Sequence, residues 1–167
     1  MTKIKAQESN GKVLDCLQKA VDGETTSRNL YWARSIYWNS LGMIRLADYY
    51  LAQSVEDHAQ VSADRMAFLG RQPAIDAVKV AAVEEDSSIS DLMQVELKVE
   101  VELADSYAEW IKTAEQERDY VTRDLLIRVV RSTQEHVDWL QAQLRQIDLM
   151  GEDNYLAAWK SKRDSLL

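Results

Sequence analysis

Two glutamates and two histidines recur in the sequence at nearly matching intervals. Glu24 precedes His58 by 34 residues, and Glu100 precedes His136 by 36 residues. Carboxylate oxygens and imidazole nitrogens are donors with which proteins bind iron, manganese and zinc. Four helices that each contribute one of these side chains would place a metal site at the centre of a bundle. The residue types therefore predict a metal site with these four side chains as ligands.

A tyrosine follows each of the two glutamates after seven residues. Tyr31 lies two turns beyond Glu24, and Tyr107 lies two turns beyond Glu100, so each pair shares one face of a helix. Tyrosines at such positions are typical of a packed core in which the hydroxyl group has a hydrogen-bond partner. We expect Tyr31 and Tyr107 either to support the ligands or to fill the core.

The elements that position these side chains are predicted to be long helices. Apolar residues recur at steps of three and four in four segments, which is the pattern of bundle helices. The predicted bounds are Ser9 or Asn10 to about Ser40 for helix A, Ile44 to Leu69 for helix B, Ser87 or Ser88 to a break near Glu117–Asp119 for helix C, and from that break to Gly151 for helix D. A short fifth helix is predicted from Asn154 to Lys160.

The stretch from Arg71 to about Asp86 lacks a clear periodicity and contains the single proline, Pro73. We interpret it as a long crossover that spans the bundle and lets helix C run parallel to helix B. Only five glycines interrupt a chain rich in helix-forming residues. The predicted fold is therefore all-α, an antiparallel four-helix bundle in a single domain over residues 1–167.

Composition excludes several classes of partner. The formal net charge of −8 opposes binding to nucleic acid or to an anionic membrane and is compatible with attracting cations. No apolar run approaches the length of a membrane span, and the first residues lack the apolar core of a signal peptide. The single Cys16 forms no internal disulfide, so we expect a cytoplasmic location.

Carboxylates inside a bundle are unfavourable unless they are paired or bound to a metal. A metal centre is one explanation for Glu24 and Glu100. In a second explanation, the two histidines are core residues that hydrogen-bond to the carboxylates or to the tyrosines, with nothing bound. Arg28 supports a third, because its guanidinium group lies four residues after Glu24 and would neutralise the carboxylates and close the site.

Several segments resemble bacterioferritin, a family within the ferritin superfamily. Residues 119–159, with His-x-Asp-Trp-Leu at 136–140, strongly resemble its last long helix and short terminal helix. Glu24 with Asn29 and Tyr31 resembles its first helix, and residues 58–73 resemble its His-Ala and Phe-Leu-x-x-x-Pro signature. Residues 63–73 also resemble the Dps branch of the superfamily.

The resemblance implies a ferritin-like cage and a site for two iron ions that oxidises ferrous iron before storage. The family's terminal glutamates fall on Glu24 and Glu100, and its histidines fall on His58 and His136. Its bridging glutamates do not carry over, because Val55 and Thr133 occupy those positions. Neighbouring polar residues are additional candidates, although those beside the histidines would need a shift of register to reach the site: Glu56, Asp57, Gln60, Glu96 and Glu135.

An alternative register of helix B would place Asp57 and Gln60 at the bridging and histidine positions. In both registers the family's haem-ligating methionine is absent, replaced by Glu56 or His58, so haem is not expected, although His58 in the alternative register could in principle ligate it. Two ferrous ions would be under-neutralised by two carboxylates, which favours one bound metal ion or none. Iron is the expected metal, and manganese or zinc would suit the same donors.

The sequence thus leads to three hypotheses. The first is an iron-binding and storage protein of bacterioferritin type, forming a homo-oligomeric cage with a degenerate or mononuclear centre and impaired ferroxidase activity. The second is an inactive structural subunit that assembles with a competent ferritin paralogue. The third is a mononuclear metalloenzyme with Tyr31 or Tyr107 beside the metal.

Overall fold

The computed structural model describes residues 11–76, 80, 83 and 87–160. Within these residues the chain forms α-helices and no strands, which confirms the all-α prediction. The helices are α1 (Gly11–Ser40), α2 (Ile44–Ser54), α3 (His58–Phe68), α4 (Ile89–Gln116), α5 (Tyr120–Met150) and α6 (Glu152–Trp159). The predicted caps of helix A, Ser9 and Asn10, lie outside the described residues.

Local sequence signals account for several helix ends. Ser88 caps α4 by accepting a hydrogen bond from the backbone N–H of Asp91 at 2.9 Å, and Asp119 caps α5 by accepting one from Thr122 at 3.0 Å. Gly42 and Gly151 have φ values of 73° and 78°, a conformation that favours glycine after a helix. The terminal helix lies two residues earlier at its start than the sequence predicted.

Two hydrophobic clusters fill opposite ends of the bundle. One joins the start of α1 to the ends of α3 and α4 and to the start of α5. The other joins the end of α1 to the starts of α2 and α4 and to the end of α5, with α6 beside it. Helix α4 therefore runs parallel to α2 and α3, as predicted.

The crossover starts at one end of the bundle and finishes at the other. Near its start, Ala74 exchanges two hydrogen bonds with the side chain of Gln18, at 2.8 and 2.9 Å. Near its finish, Val83 packs against the cluster at the opposite end. The connection thus spans the length of the bundle, which is the ferritin-like topology.

Predicted helix B is two helices, because the chain leaves helical geometry at residues 55–57. The Ser54 hydroxyl donates to the carbonyl of Leu51 at 2.7 Å, which competes with regular helix bonding. The next backbone N–H groups, of Val55 and Glu56, bond three residues back instead of four. Helix α3 then restarts after Asp57, so the prediction of one continuous helix is wrong at this point.

None of the helices in the described parts of the chain is both long and apolar enough to cross a membrane.

Candidate metal centre

Glu24 on α1 and Glu100 on α4 face each other in the middle of the bundle, between the two hydrophobic clusters. Both are buried, with 8% and 2% of their surface exposed. Tyr107 donates a hydrogen bond to Oε1 of Glu24 at 2.7 Å, and Ser27 donates one to Oε1 of Glu100 at 2.6 Å. Each carboxylate therefore has one oxygen fixed by a hydroxyl group and one oxygen directed at a histidine.

The two predicted histidines complete this layer. His58 opens α3, and its Nδ1 lies 3.4 Å from Oε2 of Glu24. His136 projects from α5, and its Nδ1 lies 3.8 Å from Oε2 of Glu100. The structure therefore brings together all four side chains that the repeated spacing predicted.

A third carboxylate, Glu56, lies between the two histidines. Its Oε2 is 3.2 Å from Nε2 of His58 and 3.8 Å from Nε2 of His136. Ser132 donates a hydrogen bond to the same oxygen at 3.2 Å. In a continuous helix, residues 56 and 58 would point about 200° apart. The break at residues 55–57 allows both side chains to reach the same layer, so the expectation that Glu56 needs a different register is wrong.

Together these five side chains form an alternating row, Glu24, His58, Glu56, His136 and Glu100. Each imidazole ring directs its two nitrogens at two different carboxylates. In this arrangement, the described residues contain no group of three or more His, Cys, Asp or Glu side chains that could hold a metal ion. Hydrogen bonding to Glu24 raises the pKa of His58, against the effect of its partial burial. A proton therefore stabilises this arrangement.

The arginine that neutralises a core carboxylate is Arg34, and the proposed role of Arg28 is wrong. Arg28 is exposed and lines a groove on the outer surface. Arg34 is buried, and its Nε donates to Oε1 of Glu96 at 2.7 Å. Tyr50 donates a hydrogen bond to the other oxygen of Glu96. Burial raises the pKa of Glu96 to about 7, although the Tyr50 hydrogen bond and the Arg34 charge act to lower it.

The remaining candidates lie away from the row. Asp57, Gln60 and Glu135 are exposed, and the Gln60 side chain donates a hydrogen bond to Asp64, which excludes the alternative register of helix B. Val55 is 73% exposed and so does not occupy a core position. Thr133 is buried, and its hydroxyl bonds to the carbonyl of Val129 at 3.4 Å. Among the described residues of α5, no carboxylate takes the place of the bridging glutamate for which Thr133 stands.

Both predicted tyrosines lie beside the site. The Tyr107 hydroxyl bonds to Glu24, and the Tyr31 ring lies 5.5 Å from the ring of His136. Burial, followed by the negative charges of Glu100 and Glu96, raises the pKa of Tyr31 far above its ordinary value, so its hydroxyl group stays protonated.

The sequence did not predict four residues that contact the carboxylates of the bundle interior. Single polar residues on a helix give no spacing signal. These residues are Ser27, Arg34, Tyr50 and Ser132.

Two grooves border the broken segment. The larger, about 680 Å³, is lined by residues of α1, α2 and α3 that include Arg28, Trp32 and Glu56. The smaller, about 200 Å³, lies between α3 and α5 and includes His58. Neither groove is lined by methionine. Three described methionines, Met43, Met66 and Met93, are buried in the core. The described residues therefore offer haem no thioether ligand in either groove.

Comparison with known proteins gives the family. The sequence model of the ferritin-like domain matches residues 14–150. The chain belongs to the ferritin family. A bacterial ferritin of Neisseria meningitidis serogroup B is 31% identical over 153 residues, covering 89% of this chain and 96% of that protein. A bacterial ferritin of Synechocystis is also 31% identical, with the same coverage. A bacterioferritin of Streptomyces coelicolor is 25% identical over 152 residues, covering 90% of each chain. Within the ferritin family the chain is therefore of bacterioferritin type.

Proposed function

We propose that this chain binds ferrous iron at the row Glu24, His58, Glu56, His136 and Glu100, and that it serves iron storage as a cage-forming ferritin. The observation that carries the proposal is the meeting of three carboxylates and two imidazoles in one layer between the helices, where Glu24 and Glu100 are buried and the other three side chains are partly buried. Such groups are unfavourable in a core unless charge of the opposite sign accompanies them.

The separations within the row suit ligands of shared ions. Two donors that each lie about 2.1 Å from one ion are about 3 to 4 Å apart. The four acid-to-histidine distances, 3.2 to 3.8 Å, fall in this range. Glu24 with His58 offers one position, Glu100 with His136 offers a second, and Glu56 is available to both. To bind iron, each histidine must turn one nitrogen toward the ion, and His58 must give up the proton that its raised pKa favours.

Charge predicts that the two positions fill unequally. With neutral histidines the row carries three negative charges, so a first ferrous ion leaves a net charge of −1 and a second produces +1. We therefore expect one tightly bound ion per chain and a second that binds more weakly. Thr133 supplies no second shared carboxylate, so oxidation that needs both ions at once is expected to be slow.

The decisive experiment is anaerobic loading with ferrous iron, followed by metal analysis per chain. Glu100→Ala and His136→Ala should each abolish tight binding. Glu135→Ala is the matched control, because Glu135 is the residue next to His136 but is exposed. Equal iron content in all four proteins would contradict the assignment of the site.

Assembly into a cage is supported by exposed apolar side chains in three separate places. Trp32 in α1 is 56% exposed, Phe68 at the end of α3 is 76% exposed, and Leu149 near the end of α5 is 86% exposed. Contiguous exposed apolar surface marks sites that other proteins cover. Trp32 belongs to such a surface, because Leu51, Val55 and Ile75 beside it are 46%, 73% and 70% exposed. Native mass of the purified protein tests this, and a monomer at micromolar concentration would contradict it.

A second candidate is a structural subunit whose site holds protons instead of iron. It is favoured by the pairing of each imidazole with two carboxylates and by the raised pKa of His58. Such a subunit would assemble with a ferritin paralogue and bind no iron alone. Anaerobic binding of ferrous iron by the isolated chain separates the two candidates, since the structural subunit would bind none.

A further inference from the structure

A buried ion pair lies one helical turn from the row. Arg34 on α1 and Glu96 on α4 meet at 2.7 Å, and their side chains are 5% and 0% exposed. Glu96 precedes Glu100 by four residues, so the two acids share one face of α4, with β carbons about 5 to 6 Å apart. The charge of the pair therefore acts on the row through protein instead of water, which weakens it little.

Glu96 is the one ion-pair partner of Arg34 among the residues that the structure describes. The Nε of Arg34 donates to Glu96, whereas its Nη1 is buried without a hydrogen-bond partner. Tyr50 donates to the second oxygen of Glu96 but brings no charge, because burial raises the pKa of Tyr50 well above its ordinary value. The pair is therefore neutral when Glu96 is ionised and carries one positive charge when Glu96 holds a proton.

Few groups around Glu96 change their charge near neutral pH. The titratable groups whose charges interact with it come from four helices, and they are Arg34 and Tyr31 on α1, Tyr50 on α2, Glu100 on α4 and Tyr155 on α6. On α5, His136 contacts the ring of Tyr31. Burial raises the pKa of all three tyrosines, so their hydroxyl groups stay protonated. Glu96 is thus the acid that exchanges a proton in this cluster.

The pair and the row are coupled through Glu100. The negative charge of Glu100 raises the pKa of Glu96, and the negative charges of both acids raise the pKa of Tyr31. A divalent cation bound to Glu100 reverses the sign of the charge at that position. The cation therefore favours ionised Glu96 and, by linkage, ionised Glu96 favours the bound cation.

We propose that the Arg34–Glu96 pair sets the affinity of the row for divalent cations, because Glu96 releases its proton to solvent when a cation binds and then cancels the charge of Arg34. This inference rests on the proposed iron-binding function and adds two residues that act on the site without being ligands. While Glu96 holds its proton, Arg34 remains an uncompensated positive charge beside the row and opposes binding.

The experiment is titration of the assembled protein with Co²⁺. Visible absorption gives the affinity, and calorimetry in two buffers of different ionisation enthalpy gives the number of protons released. Glu96→Gln preserves the shape of the side chain and fixes the pair at one positive charge. It should weaken binding by about tenfold at pH 8, where Glu96 of the unmodified protein is ionised, and by about twofold at pH 6, where it is mainly protonated. At pH 7 it should release about 0.4 proton fewer per ion.

Combining Glu96→Gln with Arg34→Met separates charge from packing. The double variant has neither charge, so its affinity at pH 8 should return to within about twofold of that of the unmodified protein, while its proton release at pH 7 stays reduced. A merely structural pair predicts the opposite, a double variant that binds at least as weakly as Glu96→Gln. Glu109→Gln is the matched control, because it removes an exposed carboxylate from α4, and it should change the affinity by less than about twofold.

Equal affinity at pH 8 and equal proton release at pH 7 in Glu96→Gln and the unmodified protein would overturn the role of the pair and leave the iron-binding function intact. A double variant that binds as weakly as Glu96→Gln would overturn it as well. Failure of the unmodified protein to bind Co²⁺ or Fe²⁺ would overturn both proposals. Should Glu96→Gln not fold, the double variant decides: full affinity with reduced proton release supports the role, and unreduced release refutes it.

Discussion

Replacing Arg34 by Met tests the buried ion pair with Glu96, and its cost should depend strongly on pH. Both side chains are at least 95% buried, and Nε of Arg34 lies 2.7 Å from Oε1 of Glu96. Above pH 7 Glu96 is mainly ionised, because its pKa is about 7. Removing the guanidinium then leaves a carboxylate without its counter-charge in the core. Such a loss lowers the free energy of unfolding by about 3 to 5 kcal/mol.

At pH 5 the same substitution should cost less. Glu96 then carries a proton, so Arg34 donates to a neutral acid, and its removal costs about 1 to 2 kcal/mol. Urea unfolding of the unmodified protein, Arg34→Met, Glu96→Gln and the double variant, at pH 5 and pH 8, yields the coupling energy directly. The coupling should be several-fold larger at pH 8. Equal coupling at the two pH values would refute the argument.

In the unmodified protein, the free energy of unfolding should depend on pH because of Glu96. Because the pKa of Glu96 is about 7 in the folded chain and 4.5 ordinarily, the folded state binds more protons between these values. Stability from this group is therefore greatest below pH 4.5 and falls as pH rises through 7, by about 3 kcal/mol. Glu96→Gln should remove that slope, which urea unfolding across this range measures.

Three further changes should have measurable effects. A methyl group in Gly23→Ala would lie 2.7 Å from Cδ1 of Leu103, which must shift, and the cost of that shift opposes the gain of about 1 kcal/mol that alanine brings to a helix interior; urea unfolding should therefore show little net change, and a full gain of about 1 kcal/mol would refute the close contact. Asp119→Ala removes both the cap on the Thr122 backbone N–H and the ion pair with Arg65, so urea unfolding should show a loss of about 1 to 2 kcal/mol, whereas Asp119→Asn should keep the cap and lose the charge of the ion pair, for a smaller loss. Zinc binding should weaken as pH falls, because the raised pKa of His58 makes the proton compete with the metal; calorimetry in two buffers should detect proton release, and its absence would contradict this competition.

The helices and most of their ends could be predicted because they depend on local signals. Steps of three and four define the buried face, and the side chains of Ser88 and Asp119 cap helices where the sequence suggested a start. The direction of α4 followed from the length of the crossover. These features need no knowledge of which side chains meet across the bundle.

The centre of the site could be predicted only in part. Glu24, His58, Glu100 and His136 repeat at fixed spacing, and that repetition made them visible. Glu56 was misplaced because a helical period carried across residues 55–57 directs it elsewhere, and three hydrogen bonds decide whether the helix continues.

The choice between two arginines also depended on more than spacing. Arg28 and Arg34 both lie in α1 among residues of its buried face. Of the two, only Arg34 is buried against a carboxylate. That partner, Glu96, is 62 residues away in the chain. Selection between such candidates depends on the packing of α1 against α4, which no local pattern encodes.

The long crossover has a consequence for the order of folding. It separates the chain into two helical hairpins, and each can form through contacts between neighbouring segments, which are quick to find. The first hairpin carries Glu24, Glu56 and His58, and the second carries Glu100 and His136. The full row exists only after the hairpins have docked. An ion bound by both hairpins would hold them together. Because its site forms only after the hairpins have docked, the ion would slow unfolding more than it accelerates folding.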